Sequence, residues 1–396
     1  MSATRPVAGF RFAGLACGIK GGAPDLGLIL ADEDVAAAGV FTKNRVCAAP
    51  VVLSKKRVRR GRLRAVLVNS GNANACTGDQ GERDARSMTA TLAAHVGVRA
   101  RSVGVASTGV IGVPLPIDRV EAAIPDLYDG ASETGIDAFA TAILTTDRGP
   151  KVARTEFRYD KRSASLLAVA KGAGMIHPDM ATTLAFVTTD APVDAAFLQR
   201  ALREATGETF NAISVDGDTS TNDSIFALAS GAAGGRSIDG GRRGKQLLGA
   251  LTEALREVAL MIVADGEGAE HVAEIVVRGA RRLKDARSIA KTIATSQLVK
   301  TALHGCDPNW GRIMGAAGRA GVRLDPQQCR LTIGDTLVFA KGAGVMDADA
   351  EAAASRTMAG PHYVIQLDLG AGSESARYYT CDLGHEYVRI NADYRS

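Results

Sequence analysis

Aromatic residues are scarce in this chain: Phe, Tyr and Trp together make up 5% of 396 residues, with a single Trp at 310. Charge of one sign is equally absent, since 47 Lys plus Arg stand against 43 Asp plus Glu. That near balance excludes the basic footprint of a dedicated nucleic-acid binder. No apolar run approaches the roughly 20 residues that span a bilayer, so no membrane segment is expected. Near the N-terminus Arg11 confines the apolar stretch to Phe12 through Cys17, shorter than the ~7–15 residues of a signal-peptide core, so no signal peptide is expected either. The six cysteines, Cys17, Cys47, Cys76, Cys306, Cys329 and Cys381, form no C-x-x-C pair. Neither a zinc ribbon nor a dithiol motif is written here, and the expectation is reduced, mostly buried thiols in a cytoplasmic protein.

The phosphate-binding signatures are missing too. No segment fits G-x-x-x-x-G-K-[ST], and no G-x-G-x-x-G follows a strand into a helix, so no nucleotide motif supports a cofactor. Asp216-Gly217-Asp218-Thr219-Ser220 opens like a calcium loop, but Thr221 and Ala227 stand where Gly and Glu are required. His304-Gly305-Cys306 has neither the Glu nor the C-x-x-C of a zinc deaminase. Neither a metal nor a cofactor is expected.

What the chain has is small residues and mixed periodicity. Hydrophobic residues reach 46% and glycine 44 positions, a composition that suits an α/β enzyme of small side chains. At roughly 150 residues per domain the length allows two or three domains. Short β-rich runs at Arg64 to Asn69, Val103 to Ser107, Leu166 to Ala170 and Leu184 to Val187 alternate with helical stretches at Arg83 to Val96 and Ala138 to Leu144. The clearest helix is Arg243 to Ala264, with Leu247, Leu251, Leu255, Val258 and Ile262 on one stripe. Gly231 to Gly244 reads as a loop. Later come strands at Glu274 to Val277, Leu331 to Ile333, Tyr363 to Leu369, Arg377 to Cys381 and Glu386 to Arg389, with a helix near Ser288 to Thr301. Residues 1–278 are therefore expected to form a catalytic α/β domain, and 279–396 a smaller α+β domain.

Without a G-x-S-x-G elbow, the nucleophiles to consider are Cys, Lys and Thr. Thr182 stands out, because Lys171-Gly172-Ala173-Gly174-Met175-Ile176-His177-Pro178-Asp179-Met180-Ala181-Thr182-Thr183 leads a glycine-rich turn and a proline into an apolar strand. On pattern alone, Thr182 and Thr183 are two β-branched residues opening a strand.

This segment resembles the self-cleavage motif KGSGMIAPNMATML of the ornithine acetyltransferase family, the bifunctional glutamate N-acetyltransferases of arginine biosynthesis. Ordered matches run along the chain, among them Asn69-Ser70-Gly71-Asn72-Ala73-Asn74, Ser107-Thr108-Gly109-Val110-Ile111-Gly112, Thr145-Thr146-Asp147, Asp216 to Asp223, Asp265-Gly266-Glu267-Gly268, Asp307-Pro308-Asn309-Trp310-Gly311-Arg312 and Asn391-Ala392-Asp393-Tyr394. The resemblance implies a self-processing α/β sandwich of the aminopeptidase and ornithine acetyltransferase type. It implies cleavage between Ala181 and Thr182 into an α chain of 1–181 and a β chain of 182–396, assembled as a heterotetramer of two each. Thr182 would be the nucleophile, Thr108 and Gly109 the oxyanion hole, and Thr145, Lys171, Thr182, Glu267, Asn391 and Ser396 the substrate-binding positions.

The chemistry behind that reading is simple. A freed α-amine with a pKa of about 7.7–8.0 sits beside its own hydroxyl and can act as its base. N-acetylornithine would donate its acetyl group and glutamate would receive it; members of the family differ in also accepting acetyl-CoA, and either case is open here. The departures from the motif are Ala173 for Ser, His177 for Ala, Asp179 for Asn and Thr183 for Met, with Ser396 where many members have Thr. Two alternatives stay open from the residues: a self-cleaving aminopeptidase or amidohydrolase, and a non-processed amino-acid-binding protein. Trp310 is expected as a packed anchor, with Asp307 and Arg312 holding its loop.

Overall fold

The computed structural model describes residues 6–177 and 183–393. Asp179, Ala181, Thr182 and Ser396 lie outside the described residues. Among the described residues the first sheet has eight strands: β1 (Phe10–Leu15), β2 (Leu26–Phe41), β3 (Arg62–Asn72), β4 (Val103–Val110), β5 (Lys151–Tyr159), β6 (Arg162–Lys171), β7 (Leu184–Thr189) and, after a two-residue β8 (Ile213–Ser214) that leaves for the other sheet, β9 (Ser224–Ala229). Their order is β4-β3-β2-β9-β7-β6-β5, with β1 added onto β2.

The middle strands show why the sequence reads as unbroken apolar runs. Leu166, Ala168, Ala170, Ala185 and Val187 point to one face and pack on the helices Ala195–Glu208 and Gly241–Ala264. Leu167, Val169, Leu184 and Phe186 point to the other and meet Phe139 and Ile143. A strand covered on both sides has no polar face to alternate with. Three of the aromatic rings meet there: Phe186 stacks on Phe226 at 5.8 Å and meets Phe139 edge-on at 5.3 Å.

The second sheet runs β13-β12-β11-β14-β10-β15-β8, with β10 (Val272–Ala280), β11 (Arg330–Ile333), β12 (Thr336–Ala340), β13 (Ala343–Gly344), β14 (His362–Asp368) and β15 (Glu374–Cys381). Helices Leu283–Ala294 and Trp310–Gly318 close one core with it. β10 spans the 278/279 position, and β8 brings a strand from the earlier part of the chain. The helix Gly241–Ala264 buries the expected Leu247, Leu251, Leu255, Val258 and Ile262. It shares a cluster with β5, β6 and with Tyr379 and Cys381 of β15, so it forms a layer common to both sheets. The result is a mixed α/β layered architecture.

Four local expectations are corrected. Glu386 to Arg389 is not a strand but part of the helix His385–Asp393, where Arg389 Nε donates to Glu386 Oε2 at 2.8 Å one turn away. The helix near Ser288 to Thr301 is two helices, Leu283–Ala294 and Gln297–His304; Thr295 Oγ1 turns back onto Lys291 O at 2.9 Å, a local bond that competes with continuation. The loop at 231–244 yields to helix at Gly241. The thiols are free, but only Cys329 and Cys381 are buried and Cys76 is exposed. Trp310 packs on the Phe339 ring at 5.4 Å, and Arg312 Nη1 donates to Leu298 O at 3.0 Å.

Because Phe186 is 1% exposed between two aromatic partners, Phe186→Ala is expected to cost about 3–5 kcal/mol. Denaturant unfolding will register this as a lowered midpoint, whereas Val388→Ala, at a side chain 65% exposed, leaves it unchanged.

Candidate active site

Six of the expected residues come to one place, and strand register sets its level. Lys171 at the end of β6 pairs with Leu184 at the start of β7, and Leu184 pairs with Ser224 at the start of β9. One level of the sheet thus carries Lys171, the residue after Thr183 and the residue after Asp223. Thr108 and Gly109 end β4 beside Ser70 and Gly71 of β3. Thr145 follows the helix Ile136–Ala142, Glu267 follows Gly241–Ala264, and Asn391 comes from His385–Asp393. Thr108, Gly109, Thr145, Lys171, Glu267 and Asn391 line a single cavity, and so do Thr183 and Leu184, the residues that follow Thr182.

Two glycines explain how closely these pieces approach. Gly109 has φ +130°, and a Cβ there would sit 2.3 Å from the Gly71 carbonyl carbon. Only a residue without a side chain lets this backbone lie against β3. A Cβ on Gly174 would sit 2.4 Å from Glu267 Oε2, so the glycine makes room for that carboxylate. Glu267 N donates to Ala173 O at 3.0 Å, and Asn391 Nδ2 donates to Glu267 Oε2 at 2.8 Å.

Under the cavity lies an ionic group that the sequence reading named only as part of a motif. The Asp147 side chain is fully buried and stands 2.7 Å from Lys151 Nζ and 3.6 Å from Lys171 Nζ. It also accepts Gly172 N at 2.6 Å and Thr145 N at 3.1 Å. Burial alone would raise its pKa, but Lys171, Lys151 and these hydrogen bonds outweigh it and hold the carboxyl well below the usual carboxylate range. Lys151 reaches on to Asp265 Oδ2 at 2.6 Å, two residues before Glu267. Lys171 Nζ donates to Thr145 Oγ1 at 2.6 Å and lies 3.5 Å from Thr108 Oγ1.

The Asp216 to Asp223 segment supplies the opposite wall. Asp216 accepts Met175 N at 2.5 Å and Ile176 N at 2.9 Å, holding the backbone that leads toward the expected cut. Met175 takes φ 56°, a left-handed conformation that a methionine adopts only when its surroundings fix it. His177 Nδ1 lies 3.2 Å from Ser214 Oγ. Asn222 Nδ2 donates to Ser107 O at 2.9 Å and Ala73 O at 2.6 Å, tying the wall to β4. Asp223 lines the cavity with Oδ2 unpartnered among the described residues. Burial pushes its pKa well up, against the opposing pull of Ser220 and Lys171. Sequence reasoning gave Asp147, Asp216, Asn222 and Asp223 no individual role; an acid inside a hydroxyl-rich run was the signal available for the three aspartates, and Asn222 had only its place in the same motif. Among the described residues no three His, Cys, Asp or Glu side chains are grouped to hold a metal.

The two buried acids predict opposite responses. Asp147 has a lowered folded pKa, so its stabilisation is complete above the usual carboxylate range and is lost as the pH falls through it. Asp147→Asn leaves two buried lysines short of an anion and is expected to cost about 3–5 kcal/mol at pH 7. Asp223 has a raised folded pKa, so its contribution is present at low pH and is lost as the pH rises. Asp223→Asn is expected to be no less stable than wild type at pH 7. Thermal unfolding of wild type and the two variants checks both signs: the Asp147→Asn deficit should shrink between pH 7 and pH 3, and the Asp223 effect should appear between pH 5 and pH 7.

The ArgJ family model matches residues 11–396. The arginine biosynthesis bifunctional protein ArgJ of Symbiobacterium thermophilum is 48% identical over 394 residues, covering 98% of this chain and 97% of that protein. The ArgJ protein of Geobacter sulfurreducens is 45% identical over 392 residues, covering 98% of this chain and all of its own length. The crystal structure of the arginine biosynthesis bifunctional protein ArgJ from Bacillus halodurans is similar with a TM-score of 0.51 and 38% identity, over 53% of this chain and 98% of the solved one. With its family pattern matched over nearly its whole length and close relatives at nearly half identity, this chain belongs to the ArgJ family.

Proposed function

We infer that the chain is an acyltransferase of arginine biosynthesis that moves the acetyl group of N-acetyl-L-ornithine to L-glutamate. The observation that carries this is the convergence of Thr108, Gly109, Thr145, Lys171, Glu267 and Asn391, scattered over 284 positions of sequence, on the cavity bordered by Thr183. A cavity with the Lys171 ammonium and the Glu267 carboxylate in its walls, beside an Asp223 whose burial disfavours its charged form, suits an amino acid that carries both charges. Lys171, with the Thr145 hydroxyl, is placed to receive an α-carboxylate, and Glu267 to receive a side-chain ammonium.

The proposed course begins with cleavage between Ala181 and Thr182. The freed Thr182 amine takes the proton of its own hydroxyl, and the hydroxyl oxygen attacks the acetyl carbonyl. The Thr108 hydroxyl and the Gly109 amide donate to the oxyanion, a contribution worth ~10²–10³ in rate per donor. Ornithine leaves with a proton returned by the amine and glutamate enters the same pocket; its neutral amine attacks the Thr182 ester and gives a proton to the Thr182 amine, which passes it to Oγ as the ester bond breaks. Ser396 completes the substrate-binding set. The length matched in the solved Bacillus halodurans chain, 53% of this one, is close to the share that follows a cut before Thr182, which supports processing. Two such chain pairs would make a cytoplasmic heterotetramer, and acetyl-CoA would serve as a second donor in a bifunctional member.

Purified protein is expected to run as chains of roughly 19 and 22 kDa, the smaller ending at Ala181; Thr182→Ala should remain one chain with no transfer activity. N-acetylornithine without glutamate should release a burst of one ornithine per site and leave one acetyl on the Thr182 chain. Intersecting initial-rate lines with no trapped acetyl would remove the covalent role of Thr182. Gly174→Ala, which drives a methyl into Glu267, should raise KM for acetylornithine at least tenfold with little change in chain processing.

A further inference from the structure

We propose that the groove between the helices Ala49–Val58 and Gly78–Val96 binds a nucleoside di- or triphosphate, independently of the acetyl-transfer site. The chain carries almost balanced charge, yet Lys55 to Arg64 holds seven basic residues and no acidic one. The fold divides this run, turning Lys55 and Arg59 to a hollow that holds Asp194 and keeping Lys56, Arg57 and Arg60 together on the other side. Arg60 and Arg101 face one opening from separate elements, joined by Lys56, Arg57 and Arg86. On its other side the same two arginines share a second hollow with Arg62 and Arg99.

Compensation is meagre. Among the described residues Glu82 is the one acid lining the groove, and Arg86 already holds it at 3.1 Å. The Asp34 carboxylate in the second hollow lies 3.4 Å from Ser102 Oγ. Among the described residues Lys56, Arg60 and Arg101 make no ion pair. The crowding of Arg101 by Arg60 and Arg99 is strong enough to lower its pKa. A helix C-terminus accounts for cations worth about half an elementary charge, far fewer than this helix end and its neighbours carry.

The groove is not uniformly charged. Positions 49, 52, 53, 56, 57 and 60 follow three- and four-residue spacing along one side of the first helix and the turn after it. Ala49, Val52 and Leu53 make an apolar floor at its start, with Val52 51% exposed, and the basic residues follow toward Arg60. At 1.5 Å per residue this apolar-to-cationic track is about 16 Å long. Its volume is about 410 Å³, inside the ~300–1,000 Å³ range of small-molecule sites. A flat base on the apolar floor with phosphates running past Arg60 and Arg101 meets both ends of that gradient. A bare anion would leave the valine and leucine in water, and a duplex needs a continuous cationic face without an apolar floor. Arg57 Nη1 donates to Val103 O, and Ser54 Oγ to Val105 O, both at 2.6 Å, so the groove is fastened to β4, the strand that ends in Thr108 and Gly109.

The test is equilibrium binding of ATP to the purified full-length protein at 150 mM salt, with tripolyphosphate, adenosine and a 20-base-pair DNA duplex as comparators. The expected result is saturable ATP binding at least tenfold tighter than tripolyphosphate or adenosine. The double variant Arg60→Glu/Arg101→Glu should lose it at least tenfold with unchanged acetyl transfer and unchanged melting temperature. Val52→Asp should weaken ATP and leave tripolyphosphate unaffected. Equal binding of tripolyphosphate and ATP, tighter binding of the duplex, or ATP binding that survives the double reversal would each overturn the proposal.

Discussion

The site is organised by a single buried carboxylate. Asp147 lies between Lys151 and Lys171, accepts the backbone of Gly172 and Thr145, and through Lys151 is joined to Asp265, the second anion, and to the loop that carries Glu267. An isolated charge in a protein interior is costly, and an ion pair there is tolerated only when its remaining valences are filled. Here they are filled by the segments that must be brought together. The Lys171 ammonium can be presented to a cavity because a counter-charge lies below it, and the Thr145 loop and the glycine turn are fixed by the same two oxygens.

That economy explains how distant parts of the chain stay in register. The cavity draws on the ends of β4, β6, β7 and β9 and on three loops, and no covalent or metal tie among the described residues holds them. Sheet pairing sets the level, since Lys171, Leu184 and Ser224 share a row. The acids then fix what the ladder leaves free: Asp147 on one wall, Asp216 on the other, with the Asn222 amide between the loop and β4. Asp223, by contrast, makes no ion pair among the described residues and is held in the interior by its place just before β9.

The strands that bury both faces were legible from the sequence because they are unbroken apolar runs, as at Leu166 to Ala170 and Leu184 to Val187. The long helix was legible because Leu247 to Ile262 keep one stripe. Elements whose identity depends on partners were not. The segment Glu386 to Arg389 has a weak local pattern in either state, and the Glu386–Arg389 pair with the packing of Tyr387 against the Gly268 turn decides for helix. The 16-residue β2 escaped notice because its alanines and acids, Asp32 to Ala38, blur the alternation where its pairing shifts between Leu30 and Val35. In the site, the motifs that contain Asp147 and Asp216 could be named in advance, but not what these acids hold, because Gly172 N and the Met175 and Ile176 amides come from segments remote in sequence, a relation that spacing does not encode.

The pairing of β6 with β7, and of β2 with β9, has a topological consequence for a chain severed between them. Both resulting polypeptides would own strands in the interior of the same sheet, interleaved as β2, β9, β7 and β6. Neither piece could then leave as a folded body, because departure would strip hydrogen bonds and apolar cover from the centre of the sheet. Unfolding would become dissociation, and recovery a meeting of two disordered molecules whose rate depends on concentration. The connection that guided folding once would be gone, so the mature assembly would persist by the slowness of its opening, as an object that can be made once and not easily remade.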